Sequence, residues 1–192
     1  MPRLIVFCGH AGAGKTTLAK RAIPLLHHRS GESFCLLDKD TVYGAFSSHV
    51  MGILTGNPND RDSPLYLEKL RDHEYNGLMD IARENLSIGT NVVLVAPSSR
   101  ELKSGALFDH RQLKLPSDTA IQVVWVTISE TAARERIKIR ANSLDDYKLA
   151  NWDEYAKRRF EPSQQTYPQL NVFDNSQFDA PSFEALLNRL IG

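Results

Sequence analysis

Near the start of the chain, Gly9-His10-Ala11-Gly12-Ala13-Gly14-Lys15-Thr16 matches the pattern G-x4-G-K-[ST]. An apolar run, Leu4–Cys8, leads into it. An amphipathic segment, Thr16–His28, leads out, with Leu18, Ala22, Leu25 and Leu26 on one side. A strand, a glycine-rich turn and a helix in this order form a phosphate-binding loop. The glycines let successive N–H groups point inward at phosphate oxygens, and the helix start adds the positive end of its dipole. Lys15 supplies a point charge for β- and γ-phosphates, and the Thr16 hydroxyl supplies a ligand for Mg²⁺. The whole loop from Gly9 to Thr16, with Thr17, is therefore the expected ATP-binding segment. The His10 imidazole occupies a variable position and reads as filler.

The rest of the chain alternates short apolar runs with helical patterns. Ser33–Leu37, Asn91–Ala96, Ile121–Ile128 and Leu170–Phe173 read as further strands. Asp38–Asp60, with Gly44, Gly52, Gly56 and Pro58, reads as irregular or mixed. Leu65–Leu86 carries apolar residues at helical spacing, ended by Gly89. A helix follows the fourth strand through Arg140, and Ser182–Ile191 closes the chain. This alternation predicts an α/β fold with a parallel sheet of five strands and helices on both faces. Pro162 and Pro168 bracket a loop rather than a linker. With 192 residues, the chain is expected to be one domain, 1–192.

Composition narrows the function classes. No run of about 18 apolar residues is present, so no membrane span is expected. Lys+Arg and Asp+Glu both number 23, which gives no basic field to favour nucleic acid. Cys8 and Cys35 lie in apolar strands without CxxC or histidine spacing, so both are read as buried thiols of a cytoplasmic protein.

Three strand ends and one helix carry further chemistry. The second strand ends in Asp38-Lys39-Asp40-Thr41. Carboxylates at the carboxyl end of a strand in an open parallel sheet lie where such sheets bind ligands. One can orient a hydroxyl and take its proton, and the other can hold Mg²⁺. Alternatively the pair is a solvated turn, with Asp40 capping a helix. The third strand ends in Ala96-Pro97-Ser98-Ser99-Arg100. Arg100 suits a substrate or the transferring phosphoryl group, or is a surface charge. After the fourth strand, Arg136 and Arg140 share a helix face. Backbone groups near Asn175, after the fifth strand, suit adenine.

These motifs together resemble the P-loop kinases of small molecules, AAA-type ATP-binding proteins of the P-loop NTPase superfamily. The resemblance is greatest to the zeta-toxin and chloramphenicol phosphotransferase group, with gluconate and adenylylsulfate kinases farther off. It covers nearly the whole chain in element order, but in residues only the loop, Asp38-x-Asp40-Thr41 and Arg136-x3-Arg140. It implies strand order 2-3-1-4-5 and a lid over about 136–160. It makes Asp40 the base and Asp38, with Thr16, the metal helper. Arg136 would stack on adenine and Arg140 would reach the phosphates. Lys15, Arg100 and Arg140 would stabilise phosphoryl charge. The chain departs from the zeta-toxin pattern at Ala96, where an acid is usual; only the arginine four residues on, Arg100, is kept.

The acceptor is expected between Thr41 and about Arg71. Tyr43, Phe46, His49, Met51, Leu54, His73 and Tyr75 would suit a small, partly apolar hydroxyl compound, although Leu54 and Tyr75 read better as core. Asp40, Tyr43, Arg71 and Arg100 are the expected substrate contacts, and Lys148 and Trp152 would grip the guest from the lid. The expected function is ATP-dependent phosphorylation of a small-molecule hydroxyl by a monomer or homodimer. The alternatives are a nucleotide-binding regulatory ATPase, a polynucleotide 5′-kinase, or a toxin acting on nucleotide sugars.

Overall fold

The computed structural model describes residues 1–192. In chain order its elements are β1 (Arg3–Cys8), α1 (Lys15–Ser30), β2 (Phe34–Asp38), α2 (Lys39–Thr55), α3 (Pro64–Lys69), α4 (Arg71–Ser87) and β3 (Asn91–Val95). Then come α5 (Ser99–Lys103), α6 (His110–Leu113), β4 (Ala120–Thr127), α7 (Glu130–Arg140), α8 (Asp146–Ala150), α9 (Trp152–Lys157), β5 (Leu170–Asp174) and α10 (Ala180–Ile191). Two short 3₁₀ turns, Ala106–Phe108 and Ser143–Asp145, fill gaps. All strand pairs are parallel, and the order is β2-β3-β1-β4-β5, as expected.

Side chains that alternate along the central strands feed two cores. Ile5, Phe7, Val124 and Val126 pack under α1 and α10 with Leu18, Leu26, Leu186 and Leu190. Leu4, Val6, Val123 and Trp125 pack on the other face under α4, with Leu78, Ala82 and Leu86. Strands covered on both faces read as near-continuous apolar runs, which is why they were visible in the sequence. No helix is long and apolar enough to cross a membrane.

Two segments differ from expectation. The stretch after Asp38 is a 17-residue helix, α2, and not a mixture of short pieces. Asp38 caps it, accepting from the N–H groups of Asp40 and Thr41, and Gly56 ends it in the left-handed conformation. Gly44 and Gly52 weaken helix propensity but are tolerated, because packing outweighs it. Gly44 is buried with its carbonyl toward Arg61, and Gly52 faces Pro58. The predicted helix over 65–86 is interrupted at Leu70 (φ −119°), giving α3 and α4. Ser63 caps α3 and Pro64 begins it, so the break sets Arg71 at the start of α4.

Cys35 is only half-buried, on the edge strand β2; Cys8 alone is buried, and both are free thiols. Burial pushes the Cys8 thiol up to about 12, so it is inert. Leu54 is exposed, contrary to its reading as core.

Candidate active site

The loop between β1 and α1 is held from behind. A Cβ added at Gly9 (φ +139°) would lie 2.4 Å from the Val126 carbonyl oxygen, so this position admits only glycine. Gly9 N–H donates to Pro97 O at 3.1 Å, and the Asn175 side-chain amide donates to Ala13 O at 2.7 Å. Arg136 donates to the carbonyls of Asn175 and Ser176 at 2.8 and 3.1 Å. Neither Arg136 nor Asn175 lines the cavity in front of the loop. Their hydrogen bonds brace the loop and the end of β5 instead.

His10 is not filler. It is buried, and its Nε2 lies 2.8 Å from Phe160 O and 3.0 Å from Phe160 N. Its ring meets Trp125 and Phe160 edge-on. Burial pushes its pKa down to about 4 from an ordinary 6.5. Between those values the unfolded chain binds a proton that the folded protein refuses. Stability should therefore fall as the pH drops from about 6.5 toward 4, by roughly 3 kcal/mol in total. Urea denaturation of His10→Gln beside the wild type should show that this pH-dependent difference vanishes in the variant. Parallel curves across the window would contradict it.

One cavity of about 560 Å³ opens in front of the loop, a volume ordinary for a small-molecule site. From the loop, His10, Ala11, Gly12, Gly14, Lys15, Thr16 and Thr17 line it, while Gly9 and Ala13 do not. Lys15 Nζ donates to His10 O at 3.0 Å and has no carboxylate partner. Desolvation pulls its pKa down to about 8, against the pull of Asp40. Thr16 Oγ1 donates to Asp38 Oδ2 at 2.6 Å. Asp38 is buried at the end of β2, beside Val95 on β3. A carboxylate thus stands one strand over from Ala96, within hydrogen-bond reach of Thr16.

Asp40, two residues on, diverges from Asp38 and projects into the cavity with its side chain largely accessible. Desolvation by the surrounding walls would raise its pKa. Lys39, Arg61 and Lys15 more than offset that and hold the carboxyl below its usual range. It is an ionised acceptor at neutral pH.

Sequence reasoning missed the floor of the site. Glu74, only 2% exposed, accepts from Lys39 (2.7 Å), Arg61 (2.9 Å), Tyr66 (2.6 Å) and the Ser47 hydroxyl. Every donor the carboxylate can bind is in place, which such a burial demands. A signal existed: Leu70, Glu74, Leu78, Ala82 and Leu86 step by four along the chain, so a charge stands on the buried stripe.

Arg61, Asp62, Tyr66, Leu67 and Arg71 of the expected acceptor insertion line the cavity, but most of the aromatic and apolar side chains expected there do not. Tyr43 is half-buried in the core, its hydroxyl against Gly77, and does not line the cavity. Nor do Phe46, His49, Met51, Leu54 and His73. Tyr75 lines it, as do Arg71 and Arg100. Arg71 is pinned by Asp72 (2.8 Å) and by both oxygens of Glu101 (2.9 Å), and Arg100 pairs with Asp72 at 2.9 Å.

Residues 141–160 cross over the cavity. Ala11 N–H donates to Tyr155 Oη at 2.9 Å, and Lys148 and Arg158 pair with Asp62 at 2.9 and 3.3 Å. Arg140 lines the cavity and is paired with Asp145 at 2.5 Å. Lys148 also lines it, but Asp62 and Asp145 occupy its charge. Trp152 faces inward, not toward a guest; it is buried, and its indole N–H donates to Glu130 at 2.9 Å.

The family model described as "AAA domain" matches residues 4–162. No curated protein is significantly similar in sequence. Among solved structures, the fold is similar to the Mycobacterium tuberculosis APS kinase in complex with AMPPNP and APS, at 14% identity and TM-score 0.63, covering 100% of this chain and 98% of that one. A sugar kinase from Janibacter is 16% identical with TM-score 0.60, covering 99% and 95%. A gluconokinase from Sinorhizobium meliloti is 17% identical with TM-score 0.55, covering 98% and 91%. These likenesses establish the fold, that of P-loop kinases.

Proposed function

The chain belongs to the AAA domain family whose model spans residues 4–162, and on that premise we propose that it is a cytoplasmic kinase transferring the γ-phosphoryl group of ATP to a hydroxyl of a small molecule. The observation that carries the reading is one cavity in which Lys15, Thr16, Asp38 and Asp40 converge and which continues away from the loop between α2, α3 and α5. A hydrolase needs only room for water. This cavity has room for a second substrate beyond Asp40.

The residues fit a nucleotide and its metal. Lys15 is a cation without a carboxylate partner, and the Thr16 hydroxyl and Asp38 carboxylate beside it offer oxygen ligands to a hard cation. Thr16 and Asp38 would hold Mg²⁺, which when bound draws charge from the phosphates. Lys15 holds the β- and γ-phosphates, and Arg140 approaches them from the end of α7. Asp40 accepts the hydrogen bond of the acceptor hydroxyl and aims its oxygen at the γ-phosphorus. As the new P–O bond forms and the bond to the β-phosphate oxygen breaks, Asp40 takes the hydroxyl proton. Residues 141–160 exclude water while this happens. Arg136 remains the candidate for stacking on adenine, released from the Asn175 and Ser176 carbonyls. Among kinases of this fold, Asp38-x-Asp40-Thr41 and Arg100 favour the zeta-toxin and chloramphenicol phosphotransferase group.

An ATP-consumption assay across hydroxylated metabolites, antibiotics and nucleosides tests the reading. ADP release that depends on one such compound, with the phosphorylated product found by mass spectrometry, is expected. Steady hydrolysis indifferent to every alcohol but stimulated by a protein would instead identify a regulatory ATPase.

A further inference from the structure

The half of the cavity beyond Asp40 is faced by Lys39, Arg61, Arg71, Arg100 and Lys103. These cations come from α2, the segment before α3, the start of α4, and α5. Their counter-ions Glu74, Asp72 and Glu101 do not line the cavity and stand behind the cations, whereas Asp40, which also pairs with Lys39 and Arg61, does line it. Asp62 and Asp145, which also line the cavity, are occupied by Lys148, Arg158 and Arg140. Around Arg71, Arg100 and Lys103 the partner carboxylates Asp72 and Glu101 stay off the cavity surface, so the field reaching a guest there is positive.

Three details favour an anion over a neutral alcohol. Arg71 is 9% exposed, clamped by Glu101 and Asp72 and stacked 3.9 Å over the Tyr75 ring, so its guanidinium is fixed before any guest arrives. Lys103 has no carboxylate partner and lies 4.4 Å over the Phe160 ring. Arg61, also 9% exposed, lines the cavity with its guanidinium held by Glu74 at 2.9 Å, so it too is fixed before a guest arrives. A polyol would leave the positive charge uncompensated in a partly desolvated space, whereas a carboxylate or phosphate ester supplies acceptor oxygens and charge together.

We infer that the phosphoryl acceptor is a small hydroxylated anion, carrying a carboxylate or a phosphate ester held by Arg71, Arg100 and Lys103 while its hydroxyl lies at Asp40. The inference rests on the kinase reading and narrows its substrate class. It replaces the partly apolar acceptor expected from the sequence.

The first test is binding. With the loop filled by Mg²⁺ and a non-hydrolysable ATP analogue, calorimetry with inorganic phosphate should reveal a second anion site. Lys103→Gln alters an exposed, unpaired side chain and should fold normally; it should weaken that site by roughly 10-fold or more, the usual worth of a charged contact. Arg71→Gln should weaken it further, with circular dichroism checking that α4 survives. No phosphate binding to the filled protein, or binding unchanged in Lys103→Gln, overturns the inference and leaves the kinase reading standing. The second test is turnover of matched compounds: glycerol against glycerate and glycerol 3-phosphate, sorbitol against gluconate and glucose 6-phosphate. The carboxylate and phosphate arms identify which anion is taken, and Lys103→Gln should raise KM for that acceptor while leaving KM for ATP unchanged. Preference for the neutral member of each pair overturns the inference. Failure to bind the ATP analogue at all would overturn the kinase reading itself.

Discussion

Lys15→Ala is expected to lower phosphotransfer by at least roughly 10³-fold, because it removes the one loop cation aimed at the charge that moves during transfer. The loop itself should survive. Its shape is set by glycine backbone, by the Gly9–Pro97 bond and by Asn175, none of which involves the lysine ammonium. Lys15 contributes only one internal hydrogen bond, to His10 O. The measurement is product formation at saturating ATP beside thermal denaturation of the same preparation. Loss of turnover at an unchanged midpoint is the expected result. Full activity in Lys15→Ala would refute the assignment of the loop.

Asp40→Asn should leave nucleotide affinity nearly intact and cut transfer to the acceptor by roughly 10²–10⁴-fold, the usual worth of a positioned proton acceptor. Asparagine keeps the size and removes the charge that Lys39, Arg61 and Lys15 stabilise. Asp38→Asn should behave differently. Asp38 caps α2 and accepts from Thr16, so its loss should appear as a higher Mg²⁺ requirement and reduced helix stability. Calorimetry for binding and mass spectrometry for product separate the two. Wild-type turnover by Asp40→Asn would remove Asp40 from the chemistry.

The parts of the fold that were legible in the sequence are those fixed by local pattern. The central strands are buried on both faces and so are continuously apolar, and Gly9–Thr16 carries a complete phosphate-loop pattern between a strand and a helix. Helix α2 was obscured because Gly44 and Gly52 lower its propensity, while the contacts that compensate come from Arg61 and Pro58, outside the helix. The carboxylates at i and i+2 were recognised together, but their division of labour depends on which one turns inward to cap the helix. The cationic wall of the cavity was hidden for a different reason. Lys39, Arg61, Arg71, Arg100 and Lys103 are scattered over more than sixty positions in a chain of zero formal net charge. Only the sheet order, with β2 and β3 adjacent, brings them to one wall.

The carboxylates behind that wall also set its selectivity. A long cationic side chain gives up roughly 2 kcal/mol of rotamer freedom when it is fixed. Glu74 fixes Lys39 and Arg61, and Glu101 with Asp72 fixes Arg71, so that entropy is lost during folding and not during association. At Lys39, Arg61 and Arg71 a guest meets donors that are already still, and few further contacts suffice to hold it. The same stillness prevents adaptation, since surfaces that serve many guests do so by re-packing. A chamber braced in this way should accept a narrow range of shapes and discriminate sharply among isomers that differ only in the distance from hydroxyl to anion.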